Sequence, residues 1–158
     1  MNRILTACGA AVLVAGLAGV AQAAPFNGSL GSTADFSDAP WWVVDPADSA
    51  GTTDISLDTS GIGYLGADAV AFGSVGYTVS FSQTFDTMPG SPLTVSFYLN
   101  NLNQPIGDPE VHTFSASFDG TTLFSLDGGG PTANELYSFN VTGLGTDTLT
   151  FTGENWES

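Results

Sequence analysis

Apolar and polar residues alternate one by one along much of this chain, and the alternation is clearest between positions 77 and 99. Val79, Phe81 and Phe85 alternate with Thr78, Ser80, Ser82 and Thr84, and Leu93, Val95, Phe97 and Leu99 alternate with Thr94, Ser96 and Tyr98. A period of two with one apolar face is the mark of a half-buried strand. Between the two runs, Pro89 pre-sets φ at the first corner of a turn and Gly90 accepts φ > 0 at the second. The sequence therefore predicts one long β-hairpin over 77–99, against which the remaining strands pack. Gln83 falls in register with Val79, Phe81 and Phe85, so it is expected to face the apolar side, satisfying a buried backbone group or lining a groove.

The same pattern places short strands at 26–30 and 41–44, a weaker one marked by Ile55, Leu57 and Ile62, and a continuous apolar one at 69–72. A polar loop is expected over 100–109. His112, Phe114, Ala116 and Phe118 then alternate with Thr113, Ser115 and Ser117 up to Asp119-Gly120, a strong two-residue hairpin signal, and a further strand follows over 121–126. Tyr137, Phe139 and Val141 mark the next strand, Gly143-Leu144-Gly145 a turn, and Leu149 and Phe151 the last strand. Beyond the first 23 residues, no stretch keeps a 3.6-residue period over ten positions without Gly or Pro. Eight or nine short strands with regular turn signals predict an all-β, antiparallel sandwich or barrel.

The first 23 residues read differently. Met1-Asn2-Arg3 is a short positive start, 4–20 is apolar and small, and Ala21-Gln22-Ala23 has the small-x-small form that signal peptidase cuts. The sequence thus predicts a signal peptide at 1–23, export from the cell, and one domain over 24–158. Removing the leader also removes the only Cys, Cys8, and the only basic Lys or Arg residue, Arg3. The exported domain then has no disulfide, no thiol nucleophile and no thiolate ligand. With 16 acidic residues and a formal net charge of −15 even with Arg3 counted, it is a poor partner for nucleic acid or anionic lipid. Such acidity suits solubility outside the cell. Aromatic residues make up 11% of the chain and charged residues also only 11%, which favours a packed core over disorder.

Several segments carry a family resemblance. They are 66–74 (Gly-Ala-Asp-Ala-Val-Ala-Phe-Gly-Ser), Phe81-Ser82-Gln83-Thr84-Phe85, Pro89-Gly90, and 93–99 (Leu-Thr-Val-Ser-Phe-Tyr-Leu). Phe26-Asn27-Gly28-Ser29, the run 115–123 and Thr148-Leu149-Thr150-Phe151 extend them over most of the domain. Together they resemble secreted bacterial proteins of the PEP-CTERM type. The resemblance implies a jelly-roll β-sandwich related to galactose-binding-like and carbohydrate-binding modules, and a location at the cell surface or in the extracellular matrix. In such domains an acidic residue after the start motif, with an Asp of the last strand, can hold a structural Ca²⁺; here Gly31 stands at the acidic position. The family ends in a strand with paired Asp residues, a Pro-Glu-Pro tag, an apolar helix and basic residues. This sequence stops at Trp156-Glu157-Ser158, so the resemblance implies a relative that lacks the last strand and the sorting tag.

Three groups of residues are candidates for binding. Trp41 and Trp42, with Trp156, offer flat faces that stack on sugar rings. Neighbours on a strand point to opposite sides, so one of Trp41 and Trp42 is expected in the core and the other outside. Asn100, Asn101, Asn103, Gln104 and Asp108, in the expected loop, offer amides and carboxylates to sugar hydroxyls, or simply build the turn. Asp45, Asp48, Asp54 and Asp58 supply the oxygen ligands that a structural Ca²⁺ takes, without the spacing of a defined calcium loop.

Catalytic arrangements fit less well. His112 is the only His and shares a face with Phe114 and Ala116; it has no second His or Cys for zinc and no Gly-x-Ser-x-Gly elbow for a Ser-His-Asp triad. Asp108 and Glu110, two positions apart, cannot flank a glycosidic bond from opposite sides. Asp119, Asp127, Glu135 and Glu154 read as turn residues and solvated charge.

The expectation is a secreted, non-catalytic structural or matrix-associated protein acting with extracellular polysaccharide. The alternative is a carbohydrate-binding module with an aromatic platform, and a hydrolase is a remote third. An exposed Trp beside a concave groove would favour the module, an aromatic-free face the structural protein, and a cleft holding two carboxyl groups the hydrolase.

Overall fold

The computed structural model describes residues 7–8, 41–45, 55–58, 60, 63, 65, 67, 69–72, 76–101, 112–128, 130–131 and 133–155. Ten strands run through them: β1 (Ala7–Cys8), β2 (Val43–Asp45), β3 (Ile55–Asp58), β4 (Ala69–Phe72), β5 (Val79–Asp86), β6 (Pro92–Asn101), β7 (His112–Phe118), β8 (Thr121–Asp127), β9 (Glu135–Thr142) and β10 (Thr146–Asn155). One sheet has the order β2-β5-β10-β7-β8, a second β1-β6-β9, and β3 pairs with β4 alone. Every pairing is antiparallel. The expected strand at 26–30 lies outside the described residues. β1 lies inside the stretch that reads as a leader and pairs with the end of β6, opposite Asn101 and Asn100.

The fold is an all-β sandwich with one apolar interior. Val79, Phe81 and Phe85 of β5, Phe114, Ala116 and Phe118 of β7, and Leu149 and Phe151 of β10 point inward from the five-stranded sheet. Val95, Phe97 and Leu99 of β6 meet them from the other side, flanked by Tyr137, Phe139 and Val141 of β9. Phe97 is fully buried and stands edge-on to Phe151, with ring centroids 5.3 Å apart and planes at 80°. This is a favoured arrangement of two ring quadrupoles. β3 and β4 close the interior with Ile55, Leu57, Val70 and Phe72, and Phe72 meets Phe114 edge-on at 5.9 Å. All four residues of β4 are buried, as a continuous apolar run requires.

The expected hairpin over 77–99 is not formed. β5 and β6 begin and end close to the expected places, but they belong to different sheets: β5 pairs with β2 and β10, and β6 with β1 and β9. The turn chemistry gives the reason. Ser91 N–H donates to Met88 O at 3.0 Å and Gly90 has φ 81°, a type II turn with Pro89 and Gly90 at its corners. Such a turn splays the flanking strands, whereas a two-residue hairpin needs positive φ that matches the strand twist. Asp119 (φ 48°) and Gly120 (φ 72°) have it, and there the expected hairpin of β7 and β8 does form.

A second crossing lies against the first. The chain also passes between the sheets at 143–145, from β9 to β10, and the two turns are joined by backbone hydrogen bonds. Thr87 N–H donates to Gly145 O (2.7 Å), Gly90 N–H to Gly143 O (2.8 Å), and Gly143 N–H to Ser91 O (2.9 Å). The β5–β10 ladder ends at Asp86 and Thr146 and the β6–β9 ladder starts at Pro92 and Thr142, so hydrogen bonding continues round the corner from one sheet to the other. Gly143 is required by proximity: a Cβ there would lie 2.5 Å from Thr87 Oγ1 and 2.8 Å from Met88 O. Gly143→Ala is expected to lower stability by about 1–3 kcal/mol, the usual range for overpacking. Urea unfolding followed by tryptophan fluorescence checks it, and an unchanged midpoint would count against the docked turns.

Candidate functional site

Period two puts hydroxyls outside wherever it puts rings inside, and strand register then lines those hydroxyls up. On the outer face of the five-stranded sheet, Val43, Ser82, Thr150, Ser117 and Thr122 form one row across β2, β5, β10, β7 and β8. Asp45, Ser80, Thr152, Ser115 and Ser125 form the next. Side chains in a row are about 4.8 Å apart and successive rows about 6.8 Å, from the spacing and rise of antiparallel strands. Thr84 and Thr148 share a hydrogen bond of 2.9 Å beside these rows. Carboxylates fringe the face: Glu154 Oε2 accepts from Thr78 Oγ1 at 3.0 Å, and Asp86 Oδ1 from Thr146 Oγ1 at 3.3 Å. The rows carry no aromatic side chain. The outer face of the smaller sheet also carries hydroxyls, with Ser96 bonded to Ser138 at 2.9 Å and Thr94 Oγ1 donating to Asn140 Oδ1 at 3.3 Å, but it adds Tyr98 opposite Leu136.

Among the described residues, those singled out from the sequence are not brought together. Trp42 is buried, with its ring stacked on Phe81 at 4.2 Å and 15°, so its face is taken up by the core. Trp41 is half-buried against the same core, so the pair divides between inside and rim as expected, although both residues lie in the turn ahead of β2 rather than in a strand. Asn100 and Asn101 are part of β6 rather than of a loop, and Asn100 is buried. Asn103, Gln104, Asp108 and Trp156 lie outside the described residues. Gln83 is buried at an inward position, as its register predicts.

Of the four aspartates considered for Ca²⁺, Asp48 and Asp54 lie outside the described residues. Asp45 ends β2 and projects from the outer face, exposed; Asp58 ends β3, where its Oδ1 accepts from Ser60 N–H at 2.8 Å in a local turn. They sit on different sheets. Among the described residues no group of three or more His, Cys, Asp or Glu side chains is placed to hold a metal ion.

The structure brings out an acidic pair at the corner instead. Asp147 is fully buried although it is a carboxylate. It accepts from Leu144 N–H at 3.0 Å and from the Thr87 hydroxyl, and Thr87 Oγ1 in turn accepts from Gly145 N–H at 3.2 Å. Asp119, expected as a turn residue with solvated charge, stands in the β7–β8 turn but is half-buried, and its Oδ1 accepts from the N–H of Thr148, the residue after Asp147, at 2.7 Å. Burial, then the hydrogen bond to Asp147, pushes Asp119 above the ordinary carboxylate range. Burial acts the same way on Asp147, but hydrogen bonds from Asp119, Thr87 and the Leu144 and Gly145 amides outweigh it and hold Asp147 below that range. A signal for Asp147 is present in the sequence: it stands in register with Leu149 and Phe151, at an inward position where a carboxylate needs a reason.

Trp42→Ala is expected to cost about 3–5 kcal/mol of folding stability, as loss of a large buried ring does. Thermal melting checks this, and a melting temperature within a degree of the parent would show that the ring is not core. Comparison of the chain with protein-family models, with curated proteins and with solved structures finds no match.

Proposed function

We propose that this chain is a secreted, non-catalytic structural or matrix-associated protein that acts alongside extracellular polysaccharide. The observation that supports this reading is the outer face of the five-stranded sheet, with its rows of Ser and Thr hydroxyls free of aromatic rings. A hydroxyl presents one donor and two acceptor lone pairs, the same inventory as a sugar hydroxyl. Each exchange of water for such a partner gains little, about 0.5–1.5 kcal/mol. A face of this kind suits many weak contacts along a polymer better than one tight grip on a small sugar. The carboxylate fringe keeps the protein soluble and repels polyanions.

The proposal includes export through a leader at 1–23 and a jelly-roll relation to carbohydrate-binding modules. Repeated crossing between the sheets, from β5 to β7 and from β8 to β10, supports the jelly-roll relation. The aromatic-platform alternative is left with Trp41 as the one described Trp that has surface to offer.

Depletion of the purified protein from solution by insoluble β-glucan, cellulose and chitin particles tests the reading. The expected result is retention on at least one polymer, reduced threefold or more by Thr150→Glu with Ser117→Glu and unaltered by Trp41→Ala. Absence of retention on all three, or retention lost with Trp41→Ala and kept in the double Glu variant, would overturn it.

A further inference from the structure

The corner where the two crossings dock holds two carboxyl groups that cannot both be bare. Asp147 has no solvent exposure, and its oxygens already accept from Thr87 and Leu144. Asp119 Oδ1 is committed to the Thr148 amide, while its Oδ2 is shut off from solvent with no N–H or O–H donor to accept from. Its pairing with Thr148, N–H to O at 2.9 Å and Oδ1 from N–H at 2.7 Å, sets that carboxyl beside Asp147. Two ionised carboxylates in contact offer only acceptors to one another and repel, and one proton between them turns the contact into a charge-assisted hydrogen bond. We propose that Asp119 and Asp147 hold a single proton between them, and that this shared proton clasps the β7–β8 turn to the corner where β5 and β9 pass into the opposite sheet.

The groups facing the pair make it sensitive to pH. From the β5–β6 crossing comes the Thr87 hydroxyl, from the β9–β10 crossing the Leu144 and Gly145 amides, and from β10 the Thr148 amide; none titrates in the accessible range. Asp86, the last residue of β5, is exposed and accepts from Thr146. Asp127 and His112 are at the far ends of β8 and β7 from the Asp119-Gly120 turn. Among the described residues there is no Lys or Arg to neutralise a second charge.

The two members of the pair act on opposite limbs of the stability profile. Asp119 binds its proton more tightly folded than unfolded, so its contribution is complete below the ordinary carboxylate value and is lost as pH rises from there through its raised folded value. Asp147 binds its proton less tightly folded, so its contribution is present above the ordinary value and is lost as pH falls through its lowered folded value. The clasp is therefore firmest near the ordinary carboxylate value and loosens as pH rises through the raised value of Asp119. General self-repulsion of an acidic chain also grows with pH. Asp119→Asn separates the two effects, because its amide donates to Asp147 permanently while its carbonyl keeps the Thr148 amide.

The test is carboxyl ¹³C NMR titration of the aspartates, with melting temperature measured against pH for the protein and for Asp119→Asn. The expected result is one aspartate titrating above the bulk and one below it, the upper titration absent from Asp119→Asn. The melting temperature of the parent should fall several degrees more than that of the variant between the ordinary carboxylate value and pH 8. Both carboxyls titrating with the bulk, or parallel melting profiles, would overturn the proposal. Movement of both resonances together on adding Ca²⁺ at neutral pH would also overturn it, by making the pair a cation site. If Asp119→Asn fails to fold, the titration of the parent alone decides.

Discussion

The sandwich depends on the contact between inward rings of two sheets, with Phe97 at its centre. From β6 this ring meets Phe151 of β10 at 5.3 Å and Phe114 of β7 at 5.9 Å, and it lies between Tyr137 and Phe139 of its own sheet neighbour β9 at 5.7 and 6.1 Å. Neither sheet alone can remove its apolar face from water; only face-to-face stacking does so. Because side chains alternate strictly, the same constraint commits every second residue of β5, β7 and β10 to the outside, where Ser and Thr fill the places. The hydroxyl face is thus the necessary counterpart of the aromatic interior.

Joining two sheets edge to edge raises a difficulty at each crossing, since backbone groups leave one ladder before they enter the next and need partners in between. Here two crossings solve it for one another. The turns at 87–91 and 143–145 exchange backbone hydrogen bonds, Gly143 lets them approach, and Asp147 accepts from the Leu144 amide and the Thr87 hydroxyl. A buried carboxylate is costly unless hydrogen-bonded on all sides, and its place under the corner gives it that function. Asp119 ties the neighbouring hairpin turn to the same point through the Thr148 backbone, to which it donates its own N–H at 2.9 Å.

Strand positions were legible in the sequence because a period of two is a local property, and β4, β5, β7, β9 and β10 fall where it puts them. Sheet membership was not. The alternation of Val79, Phe81 and Phe85 tells which side of β5 is apolar, but an apolar side can face a partner across the core as readily as it can share a face with the next strand. The difference lay in the turns: Pro89-Gly90 specifies a geometry that splays strands, and Asp119-Gly120 one that pairs them. The site was less legible still. Trp and Asn attract notice singly, yet Trp42 and Asn100 are buried. Ser82, Thr150 and Ser117 attract none, because a row of hydroxyls exists only once the register of three strands is known. Asp147 was readable in principle from its phase with Leu149 and Phe151.

The arrangement of β5 and β6 in opposite sheets is the point on which the core, the corner and the outer face all turn. Cross-strand nuclear Overhauser effects between backbone protons test it directly. This structure predicts contacts that join Phe81 with Phe151 and Val95 with Phe139, and none that join Phe85 with Leu93 as facing members of a ladder. A continuous ladder of contacts between β5 and β6 would contradict it and restore a simple hairpin.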